Sequence, residues 1–200
     1  MSERIENPSR RDLLRSVAIA AMLGSVGTAD AQHVHEMAAA ERGVTGNYKP
    51  KLLNDHEYKT LQRLADYIIP ADEVSKGALD AGACEYIDLL SSQSPELSTI
   101  YTGGIAWLDI EMNKRYGHSF LDAKPEEQTA MLDLIAFRKN DSQELGAGIH
   151  FFDWTRKMVV DAFYTSPIGI KDIGYLGNMA VGKFETPQAA IDYALKRSPA

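Results

Sequence analysis

The chain has a single cysteine, Cys84. No disulfide can form within it, and no Cys-x-x-Cys pair is present to hold an iron–sulfur centre or a c-type haem. The Glu-x-x-His spacing that equips a helical bundle for di-iron chemistry occurs nowhere. His-Glu-x-x-His, Gly-x-Ser-x-Gly and a Walker loop are also missing, which removes the corresponding zinc-hydrolase, serine-hydrolase and nucleotide-hydrolysing readings. No segment alternates apolar and polar residues for long enough to suggest a strand. Basic charge is short: 21 Lys and Arg stand against 28 Asp and Glu, a net −7, which disfavours nucleic acid and anionic lipid as partners. Long apolar runs are absent as well. The most prominent, Val17 to Val26, is ten residues, about half of the roughly 20 needed to cross a bilayer.

That short run is informative for what surrounds it. Ser9-Arg10-Arg11-Asp12-Leu13-Leu14-Arg15 precedes it and Ala29-Asp30-Ala31 follows. A basic region, a short apolar core and a small-x-small site make a secretory signal peptide. The paired Arg10 and Arg11 read as a twin-arginine signal, the kind that carries proteins already folded. Cleavage between Ala31 and Gln32 is expected, with the periplasm as destination. The leader carries four basic and four acidic residues, so its removal leaves the charge unchanged. No cysteine stands next to the signal core, which argues against a lipoprotein anchor.

The remainder reads as one helical domain. Residues 32–53 are polar and mixed and suggest a flexible lead. Asn54 or Asp55 caps a run with Tyr58, Leu61, Leu64, Ala65 and Ile68 at helical spacing, ended by Pro70. A helix beginning near Asp80 to Ala83 places Ile87, Leu90 and Cys84 on one face. Ser94-Pro95-Glu96 and Pro125-Glu126-Glu127 are further helix starts. Another helix runs from about Leu145 to Tyr164. Ile168 to Glu185, with Gly169, Gly174, Gly177 and Gly182, reads as an ordered but irregular segment, and Thr186-Pro187 opens a last helix. The expected fold is all-α, five to six helices over residues 54–200, with the glycine-rich segment before the last one.

Few side chains suggest chemistry. His33 and His35 are spaced to meet a stray metal ion, although two ligands on a mobile lead fix no geometry. This pair, with the loose glycine-rich segment, carries the alternative reading, a stand-alone periplasmic helical binding or metal-handling protein. His56 reads as a surface residue, His118 follows Gly117 at a helix end where the helix dipole favours a cation, and His150 reads as core or interface. Glu96, Glu111, Asp133 and Asp161 read as members of polar helix faces. Cys84 reads as a buried thiol, with a bond to another chain as the other option. Trp107, Trp154, Phe151, Phe152 and Tyr164 read as core. Tyr175 and Phe184 fall where core positions are few, which suggests a partner surface. Gly169, Gly174 and Gly177 do not form a dinucleotide fingerprint, since no strand precedes them. Neither a catalytic group nor a cofactor or metal site of its own is expected.

Tyr58-x-x-Leu61-x-x-Leu64-Ala65-Asp66-Tyr67-Ile68-Ile69-Pro70-Ala71-Asp72, then Gly77-Ala78-x-x-Ala81-Gly82 and Tyr86-Ile87-Asp88, resembles the gluconate 2-dehydrogenase subunit 3 family. The likeness covers roughly Asn54 to Tyr164. Gly174-Tyr175-Leu176-Gly177-Asn178 is only similar to that family's glycine-rich close, and the terminal helix looks like an addition. The resemblance implies a non-catalytic small subunit of a membrane-associated sugar or sugar-acid dehydrogenase. Its partner would be an FAD-dependent oxidoreductase of the glucose–methanol–choline type, often joined by a multihaem cytochrome c subunit. A small subunit bearing a twin-arginine signal would then carry the flavoprotein across the membrane with it.

Overall fold

The computed structural model describes residues 28–42, 48–174 and 186–197. These residues form helices and connections, with no strand among them. In chain order the helices are α1 (Thr28–Arg42), α2 (Asp55–Ile68), α3 (Ala83–Ser91), α4 (Pro95–Tyr116), α5 (Pro125–Ile135), α6 (Gly146–Tyr164), α7 (Pro167–Asp172) and α8 (Gln188–Arg197), with a 3-10 turn at Arg138–Asn140.

The ends of the helices follow from local chemistry. Asn54 Oδ1 accepts the Glu57 amide at 3.0 Å while Glu57 Oε2 accepts the Asn54 amide at 2.9 Å, a reciprocal cap on α2. Ser94 Oγ accepts the Leu97 amide at the start of α4, where Pro95 occupies the first turn and loses nothing by lacking an N–H. α4 stops at Gly117, whose φ of 83° lies in the left-handed region that glycine enters without strain. Ser166 caps α7 in the same manner as Ser94, accepting from Gly169.

The shortest of the central helices organises the core. Of the nine residues of α3, all but Glu85 are buried, and α1, α2, α4 and α6 pack around it. A helix apolar on every side must be enclosed, and Ala-Cys-Glu-Tyr-Ile-Asp-Leu-Leu-Ser is nearly that. Leu61, Leu64 and Ala65 of α2, Ile105, Leu108 and Met112 of α4, and Phe151, Val159 and Ala162 of α6 complete the interior. Each large aliphatic or aromatic side chain so buried contributes about 1.5–3 kcal/mol. Where α4 and α6 meet, glycine makes room. A Cβ at Gly104 would lie 2.2 Å from the Phe151 ring, and one at Gly148 would lie 2.0 Å from the Trp107 ring.

The structure departs from the sequence reading in three places. The stretch read as a flexible lead contains most of α1, because Val34 and Ala38 recur one turn apart and are buried in the core cluster. The segment read as irregular from Ile168 begins inside a helix, since Ser166 and Pro167 start α7 before the glycines interrupt it. Glu111, read as part of a polar face, is 5% exposed; Arg115 Nε donates to it at 2.6 Å and Lys114 lies beyond, so the buried charge is paired.

Candidate functional site

Two polar joints and one cleft hold the chemistry-bearing side chains together. The first joint is built on Asp88, near the middle of α3 and fully buried. An acid here faces apolar neighbours on its own helix, so its charge must be met from elsewhere. It is met by the connection that leads into α2. Tyr48 Oη donates to Oδ2 at 2.8 Å and the Lys51 amide at 2.6 Å, while the amides of Leu52 and Leu53 donate to Oδ1 at 3.2 and 2.9 Å. Burial, and then the adjacent carboxylate, push the Tyr48 hydroxyl well above its ordinary range, so it remains a donor. Asp88 therefore fastens the chain between α1 and α2 to the centre of the domain.

The second joint fastens α1. His35 packs against Tyr86 of α3 with ring centroids 4.9 Å apart and planes tilted by 38°, and its Nε2 lies 3.1 Å from Thr165 Oγ1 at the end of α6. The Thr165 hydroxyl already donates to the Asp161 carbonyl at 2.6 Å, so it accepts from His35, which fixes the Nε2–H tautomer. Tyr86 Oη donates to Asp161 Oδ2 at 3.2 Å. Burial holds the His35 imidazole below its ordinary range, against the opposing pull of the Ala162 backbone and the Asp161 carboxylate. α1 thus docks with a neutral histidine.

Beside this joint lies a cleft of about 420 Å³, bounded by α1, the turn at residues 80–82 and the junction of α6 with α7. Gln32, Glu36, Asp80 and Ser166 are among its polar lining and Ala81 and Ile170 among its apolar lining. Tyr164 and Ile173, either side of the junction, are 41% and 58% exposed.

The loop after α2 is pinned by the residues that carried the family resemblance. Asp72 Oδ1 accepts the amides of Val74 and Ser75 at 2.8 and 2.7 Å, which holds its carboxyl below the usual range. Gly77 packs on backbone: a Cβ there would lie 2.6 Å from the Ala71 nitrogen. Elsewhere, Asp153 is held down to about 2 by the Lys157 ammonium, aided by Arg138. His56 pairs with Asp109 and His118 with Glu127. These are bonds between exposed or part-buried helix surfaces, each worth about 1 kcal/mol or less.

The residues singled out in sequence are placed as follows. Ser9, Arg10, Arg11, Tyr175 and Phe184 lie outside the described residues. Ala29 and Ala31 lie in the first turn of α1, and Ala31 is fully buried. Cys84 is free and 1% exposed, enclosed within this chain rather than offered at an interface; burial pushes its thiol well above the ordinary range. His33 is exposed and His35 packs inward, because residues two apart on a helix point to opposite sides. They do not face one ion together. Among the described residues no group of three or more His, Cys, Asp or Glu is placed to hold a metal. None of the described helices is long and apolar enough to cross a membrane. His150 is exposed and accepts the Trp154 indole N–H at 3.2 Å. Asp88, Tyr48 and the inward role of His35 were missed; the signal was a lone acid in the apolar run of α3.

These features define an all-helical domain whose buried polar groups act as joints between segments. Comparison with characterised proteins and with solved structures returned no match. The sequence model of the family described as gluconate 2-dehydrogenase subunit 3 matches residues 55–183. The chain belongs to that family. The match opens at the first residue of α2 and leaves α1 outside it.

Proposed function

We propose that this chain is the small, non-catalytic subunit of an exported dehydrogenase complex. In this reading its leader takes the twin-arginine route into the periplasm. Its catalytic partner is an FAD-dependent oxidoreductase of the glucose–methanol–choline type that acts on a sugar or sugar acid, with a multihaem cytochrome c subunit as a further member. The observation that carries the reading is the family match over residues 55–183, joined to Arg10-Arg11 ahead of a short apolar core. Folded export has a purpose when cargo must be finished in the cytoplasm, and a flavoprotein loaded with FAD is such cargo. A protein-sized partner also gives the exposed apolar side chains at the end of α6 something to bury.

The test is purification of the tagged chain from its native periplasm, with and without Arg10→Lys and Arg11→Lys. A companion with flavin absorbance and dye-linked sugar oxidation is expected with the unaltered leader, and both should be lost from the periplasm with the altered one. A colourless, solitary chain overturns the subunit reading. Undiminished periplasmic yield of the double variant overturns the twin-arginine route.

A further inference from the structure

The expected cleavage point does not lie in a loose tail. Ala29 and Ala31 belong to α1, and the Ala31 side chain is fully buried. Three residues further on Val34 is 3% exposed, and Ala38 follows at 4%. His35, between them, is tied to Tyr86 and Thr165. Ala31 is thus shut in one turn ahead of an anchored apolar stripe, and its side chain comes free only when the start of α1 leaves its seat.

A peptidase that removes a leader takes its substrate as an extended strand, with the small side chains entering pockets of the enzyme. The helical turn at Ala29–Ala31 offers neither an extended backbone nor a free Ala31 side chain. We infer that docking of α1 on the folded domain gates removal of the leader, so that the Ala31–Gln32 bond is cut only from a state in which α1 has lifted away. The reaction itself is ordinary hydrolysis. Water adds across the amide, its hydroxyl going to the Ala31 carbonyl carbon and its proton to the Gln32 nitrogen. This inference rests on the folded-export reading. A chain threaded unfolded would reach the peptidase before α1 had formed.

The gate has a defined part. α1 lies outside the family-matched body, and its attachment to that body is local: the Val34–Ala38 stripe and the His35 joint. Local opening of such an element precedes global unfolding, and cleavage then tracks the population of the open form. Anything that lifts α1, a partner competing for the Tyr86–Thr165 surface included, speeds maturation.

The experiment uses the folded full-length chain in detergent micelles with purified signal peptidase. In parallel the same chain is treated with elastase, which cuts after small residues, and the new ends are read by mass spectrometry. Val34→Asp should lift α1 and raise the rate of cutting at Ala31 by about tenfold or more with both enzymes. His35→Ala, which removes one joint and leaves the stripe, should fall between. Melting of each variant by circular dichroism shows that the α2–α6 body is still folded. Equal elastase rates for wild type and Val34→Asp, with the body folded, overturn the gate through the fold. Faster elastase cutting in Val34→Asp, with signal peptidase leaving both chains whole, overturns it through the export reading.

Discussion

The Tyr48 hydroxyl donates to the Asp88 carboxylate at 2.8 Å across 40 positions of sequence, and three successive backbone amides, Lys51 to Leu53, close on the same side chain. Removing the acceptor leaves four donors without their partner, the Leu53 amide in a buried position and the others part-buried. Asp88→Ala should therefore cost about 3 kcal/mol or more of unfolding free energy, against about 1 kcal/mol for Tyr48→Phe, which leaves the carboxylate its three amides. Urea unfolding monitored by circular dichroism measures both. A loss below about 0.5 kcal/mol for Asp88→Ala would show that water satisfies this site.

Neighbouring glycines on α4 should respond oppositely to the same change. Gly104→Ala drives a methyl into the Phe151 ring, whereas a Cβ at Gly103 meets nothing within 4 Å. Gly104→Ala is expected to destabilise by about 1–3 kcal/mol. Gly103→Ala should stabilise by about 0.5–1 kcal/mol through helix propensity. Thermal melts of the two single variants decide the matter, and equal shifts would refute the close approach of α4 and α6.

Acid should loosen α1. The docked His35 has its pKa below the ordinary value of 6.5. Docking is therefore at full strength above that value and weakens as pH falls below it, because the undocked imidazole takes a proton that the docked one resists. The groups facing or flanking it are Tyr86 on α3, Asp161 on α6 and Glu36 on α1. The Ala162 backbone and the Asp161 carboxylate pull the other way, and burial outweighs both. Elastase cutting within α1 should rise between about pH 7.5 and pH 5, and His35→Gln should flatten the response. A rate that ignores pH in the wild type would dismiss the neutral-docking account.

Cys84 should resist thiol reagents in the native protein. It is enclosed between α3 and its neighbours, and burial raises its pKa, so thiolate is scarce as well as inaccessible. Labelling should proceed only at the rate of opening and become rapid in denaturant. Immediate labelling of folded protein would place the thiol at a surface.

Much of the fold was legible because its signals are local. Asn54, Ser94, Pro95 and Pro125 announce helix starts, and Leu61, Leu64 and Ala65 show a 3.6-residue period that names the buried face of α2. α1 escaped because its apolar residues are mostly alanines spread round the helix, which favour helix but mark no buried face; Val34 and Ala38 are distinguished only by the surface they meet. Asp88 escaped for a related reason. Its partners are amides of a segment 35 to 37 positions away, and no spacing rule connects a carboxylate to distant backbone. Gly77 was quoted as part of a motif, yet the reason for it, a contact with the Ala71 nitrogen, is visible only once the loop is closed. The family resemblance was readable in advance, since the stretches that carry it, Tyr58 to Asp72, Gly77 to Gly82 and Tyr86 to Asp88, follow closely along the sequence, and the family match covers residues 55–183.

The Asp88 joint also decides how the molecule carries tension. A pull on the leader end travels along α1 and then enters the chain at Tyr48 to Leu53, where four donors grip one carboxylate. Those four bonds converge on a single side chain, so the segment is tied to the body at one point. The force passes into α3, which is walled in by α1, α2, α4 and α6, before it reaches the capped start of α2. The domain is thus moored at its densest point, and traction from its leader end can strip α1 while leaving the body behind it whole.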